Sequence, residues 1–114
     1  TKANPKAAED PNFKNMLRNA PAVIFIASPS DGSGQLDCGL LGENMVLAAQ
    51  SLGLGTCCLG GPTRFMTDAA EAAPYLEKLG FSEGYKLLYA IGVGYPDEAP
   101  DAKPRDESKV RFVE

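Results

Sequence analysis

The chain has 114 residues, 44% of them apolar, with a formal net charge of −4 and no histidine. Such a chain holds one domain at most and enough apolar residues for a packed core; its acidic balance excludes a general nucleic-acid role, which needs a basic face. Without histidine there is no imidazole base, no Ser-His-Asp triad, and no His-ligated zinc or haem.

No apolar run reaches the length of a membrane span, and no signal-peptide pattern opens the chain, so no membrane partner is expected. Three cysteines make an odd count. Cys57 and Cys58 are neighbours in sequence, where a bridge is strained, and their spacing fits no zinc ribbon. Reduced thiols, a cytoplasmic location and no metal follow as expectations. The first residue is Thr1 rather than Met, which suggests a processed chain or a piece of a longer one.

Thr1 to Ala8 is polar and Ala-rich. Pro11 can open a short helix through Met16 and Leu17, which Asn19-Ala20-Pro21 breaks. Val23 to Ile26 is β-branched and aromatic and apolar on both faces, the pattern of a central buried strand. Ser28 to Gly34 reads as a loop. Asp37 can cap the next helix, in which Leu41, Met45, Ala48 and Leu52 form one stripe. Leu40, Val46, Leu47 and Ala49 widen that stripe until the helix is apolar over much of its surface, as in helices buried on several sides. Gly53 stands where a C′ glycine belongs.

Thr56 to Leu59 predicts a second short strand, ended by Gly60-Gly61-Pro62. Phe65 to Leu79 is helical in part, with Pro74 opening a new helix and Gly80 closing it. Ser82-Glu83-Gly84 is a turn. Lys86 to Val93 is the longest strand, apolar on both faces. Beyond Tyr95, Pro96, Pro100 and Pro104 stand among acidic residues in an extended tail, 96–114, in which Val110 to Val113 alternates weakly enough to suggest a small strand. Residues 1–114 thus read as a single α/β domain, a small central sheet flanked by helices. Three strands are too few to cover so apolar a helix, which calls for further chain or a partner.

The stretch GLGTCCLGG, Gly53 to Gly61, leaves two readings open. It has neither the Lys-Ser/Thr of a P-loop nor the strand–glycine–helix order of a dinucleotide fingerprint. In one reading it is a helix cap, a strand and a turn. In the other, Gly60-Gly61 lets a flat hydrogen-bonding ring approach the backbone, with Cys58 and Leu59 as wall. The cysteines read as buried packing thiols rather than redox partners, and Tyr85, Tyr89 and Tyr95 as core or rim.

The segment ENMVLAAQSLGLGTCCLGG resembles the nitroreductase family, with its Asn-x-x-Leu-Ala-Ala helix, Leu-Gly-Leu-Gly-Thr and Gly-Gly. NAPAVIFIAS, LGFSEGYKLLYAIGVGYPDE and APDAKPR are similar to further family segments in the same order. The resemblance covers Asn19 to the C-terminus. It implies a nitroreductase-like α+β fold, here its C-terminal portion and incomplete without an N-terminal half, and an FMN-dependent oxidoreductase. That enzyme would pass electrons from NAD(P)H to an electron-poor acceptor such as a nitroaromatic or quinone. The partner implied is a second copy, as a homodimer, or a missing N-terminal fragment. By match, Cys58, Leu59, Gly60 and Gly61 line the flavin ring, while Lys103 and Arg105 grip the FMN phosphate. Residues two apart in an extended segment face one side, so Lys103 and Arg105 can reach one phosphate. No catalytic side chain is named, since flavin carries the hydride chemistry. A non-catalytic module that dimerises through the apolar helix is the alternative from another class.

Overall fold

The structure, a computed structural model, describes Pro11 and residues 15–114. The expected polar opening, Thr1 to Ala8, lies outside the described residues, as do residues 12–14 of the helix expected from Pro11. Residues 16–19 form a turn instead, held by the Asn15 side chain, whose oxygen accepts from the Leu17 and Asn19 backbone N–H groups.

Three strands and three α-helices follow: β1 (Ala22–Pro29), α1 (Gly34–Ser51), β2 (Gly55–Leu59), α2 (Gly60–Asp68), α3 (Ala73–Leu79) and β3 (Tyr85–Gly94). All pairing is antiparallel and the sheet order is β1-β3-β2. The architecture is therefore α+β. Val23–Ile26 does not lie at the centre of the sheet; β1 is an edge strand. The ten-residue β3 takes the middle because it alone is long enough to pair along both partners. A register shift between Ile26 and Ala27 leaves Leu88 of β3 as the extra residue of a bulge.

Ile91 of β3 is fully buried and forms the heart of the core with Ile26 and Cys38, against half-buried Met45, Val46 and Tyr89. On the opposite sheet face Ala90 and Gly92 lie against Leu59. A Cβ at Gly92 would be tight there, 3.2 Å from the Ala20 Cβ and 3.4 Å from Leu59 Cδ1. One pair of side-chain hydrogen bonds joins three elements. The Tyr89 hydroxyl donates to the Cys38 carbonyl at 2.5 Å, and the Cys38 thiol donates to the Ala27 carbonyl at 3.8 Å. Gly42 makes room for this: a Cβ on it would land on the Tyr89 hydroxyl.

Helix α1 starts one turn earlier than its sequence suggests. Ser33 is the N-cap residue, and Asp37 sits inside the first turn, where its carboxylate accepts from Ser33 Oγ at 3.0 Å and favours the positive helix end. Its C-terminus is as expected. Gly53 takes φ 74°, its N–H donates to Gln50 O at 3.1 Å, and the Leu54 N–H donates to Ala49 O at 2.9 Å, which is a Schellman closure.

The face of α1 that meets the sheet differs from the expected one. Its buried residues are Cys38, Gly42 and Ala49, all small, so the helix axis comes close to the strands. The stripe of Leu41, Met45, Ala48 and Leu52 is half-buried at Met45 only, and Leu36, Leu40, Leu41, Leu47 and Leu52 are exposed. Pro74 in the first turn of α3 and Gly80 at its left-handed C-cap, φ 67°, agree with the sequence reading. The tail is extended apart from a 3-10 turn at Glu107–Lys109, and Val110 to Val113 joins no strand ladder among the described residues. No helix among the described residues is long and apolar enough to cross a membrane.

Candidate functional site

Cys58, Leu59, Gly60 and Gly61 lie on one continuous piece of backbone where β2 runs into α2. Strand β2 is an edge strand, Cys58 pairing with Ile91 and Leu59 with Ala90. Leu59 is 3% exposed and anchors the strand's end in the core. Neighbouring strand residues point to opposite faces, so Cys58 shares the α1 face with Ile91 while Cys57 shares the other face with Gly92. Both cysteines are exposed, contrary to the buried packing expected of them, because a five-residue edge strand has cover from one neighbour only. The buried thiol is Cys38. The alternation also holds the sulfurs of Cys57 and Cys58 on opposite sides of the sheet.

Gly60-Gly61-Pro62 does not form a turn after the strand. Gly60 and Gly61 are the first two residues of α2, and Pro62 fits the first turn because its absent N–H would have no intrahelical acceptor. The N-cap residue is Leu59, and no side chain caps the helix. Thr63 Oγ1 donates back to the Leu59 carbonyl at 3.3 Å, which fixes the strand-to-helix corner. A Cβ built on Gly60 or Gly61 meets nothing within 4 Å, and neither residue has a positive φ. Neither backbone strain nor packing within the described chain thus requires glycine at these two positions. What they provide is a bare, exposed strip of backbone with two N–H groups unspent inside the helix.

Lys103 and Arg105 stand elsewhere, in the exposed tail. The tail leaves β3 at Gly94, opposite Gly55, whereas Gly60 follows the other end of β2. Four residues of strand separate those ends, about 13 Å. Pro96 lies against Gly55, at 3.3 Å from a Cβ built there. The nine residues from Tyr95 to Lys103 can span at most about 30 Å, so the tail is long enough to return along β2. In the structure it does not bring Lys103 and Arg105 into contact with the glycines, and the ion pair within the tail is Lys109 with Asp106 at 3.9 Å.

Two open concavities lie away from both groups. One is framed by Ser28, Ser33, Gly34 and Lys86 at the start of α1; the other lies among Leu76, Phe81, Tyr85 and Leu87 beneath α3. No sequence motif marks either one. The nearest signal was the Ser30–Gly84 contact, in which the Ser30 N–H and hydroxyl both donate to the Gly84 carbonyl, and nothing in the sequence pairs those two loops. Among the tyrosines, Tyr89 is half-buried, while Tyr85 and Tyr95 are exposed. Burial raises the Tyr89 hydroxyl above its ordinary pKa, with smaller contributions from the Cys58 and Cys38 thiols.

Comparisons with known proteins establish the family and the fold. The model of the nitroreductase family matches residues 2–95, and the chain belongs to that family. It is 38% identical over 72 residues to an NADPH-flavin oxidoreductase of Vibrio harveyi, a match covering 63% of this chain and 28% of that protein. It is 31% identical over 109 residues to a putative NADH dehydrogenase/NAD(P)H nitroreductase of Archaeoglobus fulgidus, covering 90% of this chain and 60% of that one. A nitroreductase with bound FMN from Desulfitobacterium hafniense superposes with a TM-score of 0.78 at 27% identity, over 87% of this chain and 54% of that one. The chain therefore spans less than two thirds of each of these relatives. The family match ends at Tyr95 and leaves Lys103 and Arg105 beyond it.

Proposed function

We propose that this chain forms one wall of a flavin site in an FMN-dependent NAD(P)H oxidoreductase that reduces an electron-poor acceptor such as a nitroaromatic or a quinone. The observation that carries the reading is the bare strip at Gly60 and Gly61: two exposed glycines that the chain's own backbone and packing do not require, at a helix start that no side chain caps. A planar ring with carbonyl and imine acceptors fits such a strip, and a side chain at either position would stand between ring and backbone. Leu59 holds the strip to the core, and Cys58 extends the wall along the edge of β2.

Bound there, flavin supplies the hydride and electron transfer; the chain supplies position and hydrogen-bond donors. Lys103 and Arg105, two apart in an extended segment with Pro104 between, have the charge and spacing to hold the FMN phosphate once the tail lies along the site. The rest of the site would come from a second copy in a homodimer or from an N-terminal half, of which this chain is the C-terminal complement. Either one would also cover the exposed leucines of α1. The expected location is the cytoplasm.

The deciding experiment is a titration of the purified protein with FMN, followed by flavin absorbance and fluorescence. Saturable binding is expected, weakened by Gly61→Val and by the Lys103→Ala/Arg105→Ala pair. Protein that is folded and dimeric by light scattering yet leaves FMN free would instead support a non-catalytic dimerising module. The exposed leucines of α1 are the feature that favours that second reading.

A further inference from the structure

Arg64 has no role in the reading above, and its position gives it one. It lies four residues after Gly60 and three after Gly61 on α2, so the three share one face of the helix across a single turn. Helical side chains lean toward the N-terminus, which directs Arg64 over the turn that the two glycines leave bare. That space is open, since a Cβ on either glycine meets nothing within 4 Å. Among the described residues the guanidinium has no side-chain partner. Asp68, its natural neighbour one turn on, accepts instead from Thr67 Oγ1 at 3.1 Å, and Arg64 enters no ion pair among the described residues. The first turn of α2 carries no acidic residue that would neutralise it.

We infer that Arg64 is a specificity-determining residue, recognising an anionic oxygen group, phosphate or carboxylate, on the substrate that meets the flavin bound at the Gly60–Gly61 strip. The inference rests on the flavin reading above. The guanidinium offers a planar fork of donors that matches either anion, and a ligand over the strip would desolvate it.

The test is steady-state kinetics of the flavin-loaded protein and its Arg64→Ala and Arg64→Lys variants. The donors are NADPH and NADH, and the acceptors a neutral naphthoquinone and its sulfonated analogue. Equilibrium binding of NADP+ is read separately from the flavin spectrum. Loss of one charge-assisted pair predicts a KM about three- to tenfold higher for the anionic substrate in Arg64→Ala, with kcat little changed and Arg64→Lys intermediate. A rise with NADPH, matched by weaker NADP+ binding, assigns the anion to the donor. A rise confined to the sulfonated quinone assigns it to the acceptor. KM values unchanged from the parent's for all four substrates and unchanged NADP+ binding, in a variant that still holds flavin, overturn the inference. Failure of the unmodified protein to bind flavin would overturn the underlying reading instead.

Discussion

The two sides of helix α1 carry similar apolarity and opposite fates. The inner side meets β1 and β3 through Cys38, Gly42 and Ala49, small residues that let Tyr89 reach the Cys38 carbonyl. The outer side presents Leu36, Leu40 and Leu47, with Leu40 61% exposed. Size rather than hydropathy separates them: close approach of the helix to the sheet selects small residues inside, while the large ones face outward. Large leucines on an outer face are what a helix carries when another apolar surface covers it. The inner side is therefore the core of this chain, and the outer side is the face that the proposed partner would cover.

The contrast is most directly broken by truncating one residue from each side. Ile91→Ala removes the one large side chain that is fully buried among the described residues and should cost about 3 to 4 kcal/mol in denaturant unfolding. Leu40→Ala should cost less than about 0.5 kcal/mol in a monomer, since its side chain is already in water. If the outer face is an interface, the parent's stability should already depend on protein concentration, and Leu40→Ala should lower the midpoint further, most of all in dilute protein. Equal losses for the two variants at every concentration would mean that the outer face is packed like the inner one. Next in size is Gly42→Ala, whose methyl would collide with the Tyr89 hydroxyl and displace it, costing about 1 to 3 kcal/mol. Tyr89→Phe alone should cost about 1 kcal/mol for the lost hydrogen bond. A double variant less destabilised than the sum of the two would show the collision to be at the oxygen.

Much of this was legible in the sequence, for definite reasons. Gly53, Pro74 and Gly80 gave away helix ends because each does something only its residue type does well there. The length of Lys86 to Val93 marked the principal strand, yet not its place at the sheet centre, because strand order depends on partners far away in sequence. The stripe on α1 was misread since a hydropathy pattern scores Leu41 and Leu52 above Gly42 and Ala49, while tight packing prefers the reverse. Cys57 and Cys58 were expected inside for the same reason; an apolar residue on an edge strand is buried only if another layer reaches it. Gly60 and Gly61 read as a turn in the sequence and are instead the start of α2, because the strand runs directly into the helix there. Arg64 left no signal in the sequence, because its interest depends on α2 beginning at Gly60.

The bare strip offers a smaller and sharper test. Gly61→Ala meets no steric obstacle and replaces glycine in the first turn of a helix, so stability should stay level or rise by up to about 0.5 kcal/mol. Flavin affinity should fall in the same variant. A gain in stability together with a loss in binding would mark the glycine as held for a ligand. Unchanged affinity would return Gly60-Gly61 to a purely structural role.

The smallest effect concerns pH and tests the inner side alone. The Tyr89 hydroxyl has a pKa raised above 10.0, first by burial and then by the Cys58 and Cys38 thiols, and it donates its proton to the Cys38 carbonyl. The folded state therefore holds this proton more tightly than the unfolded one. Below the unfolded value the stabilisation is fully present. As pH rises past 10 the unfolded chain loses the proton first, and stability declines until the folded hydroxyl also ionises. Tyr89→Phe should be less stable than the parent at neutral pH and should lack this part of the alkaline decline, so the two unfolding curves should converge above pH 10. Parallel curves up to pH 11 would mean that Tyr89 ionises equally in the folded and unfolded states.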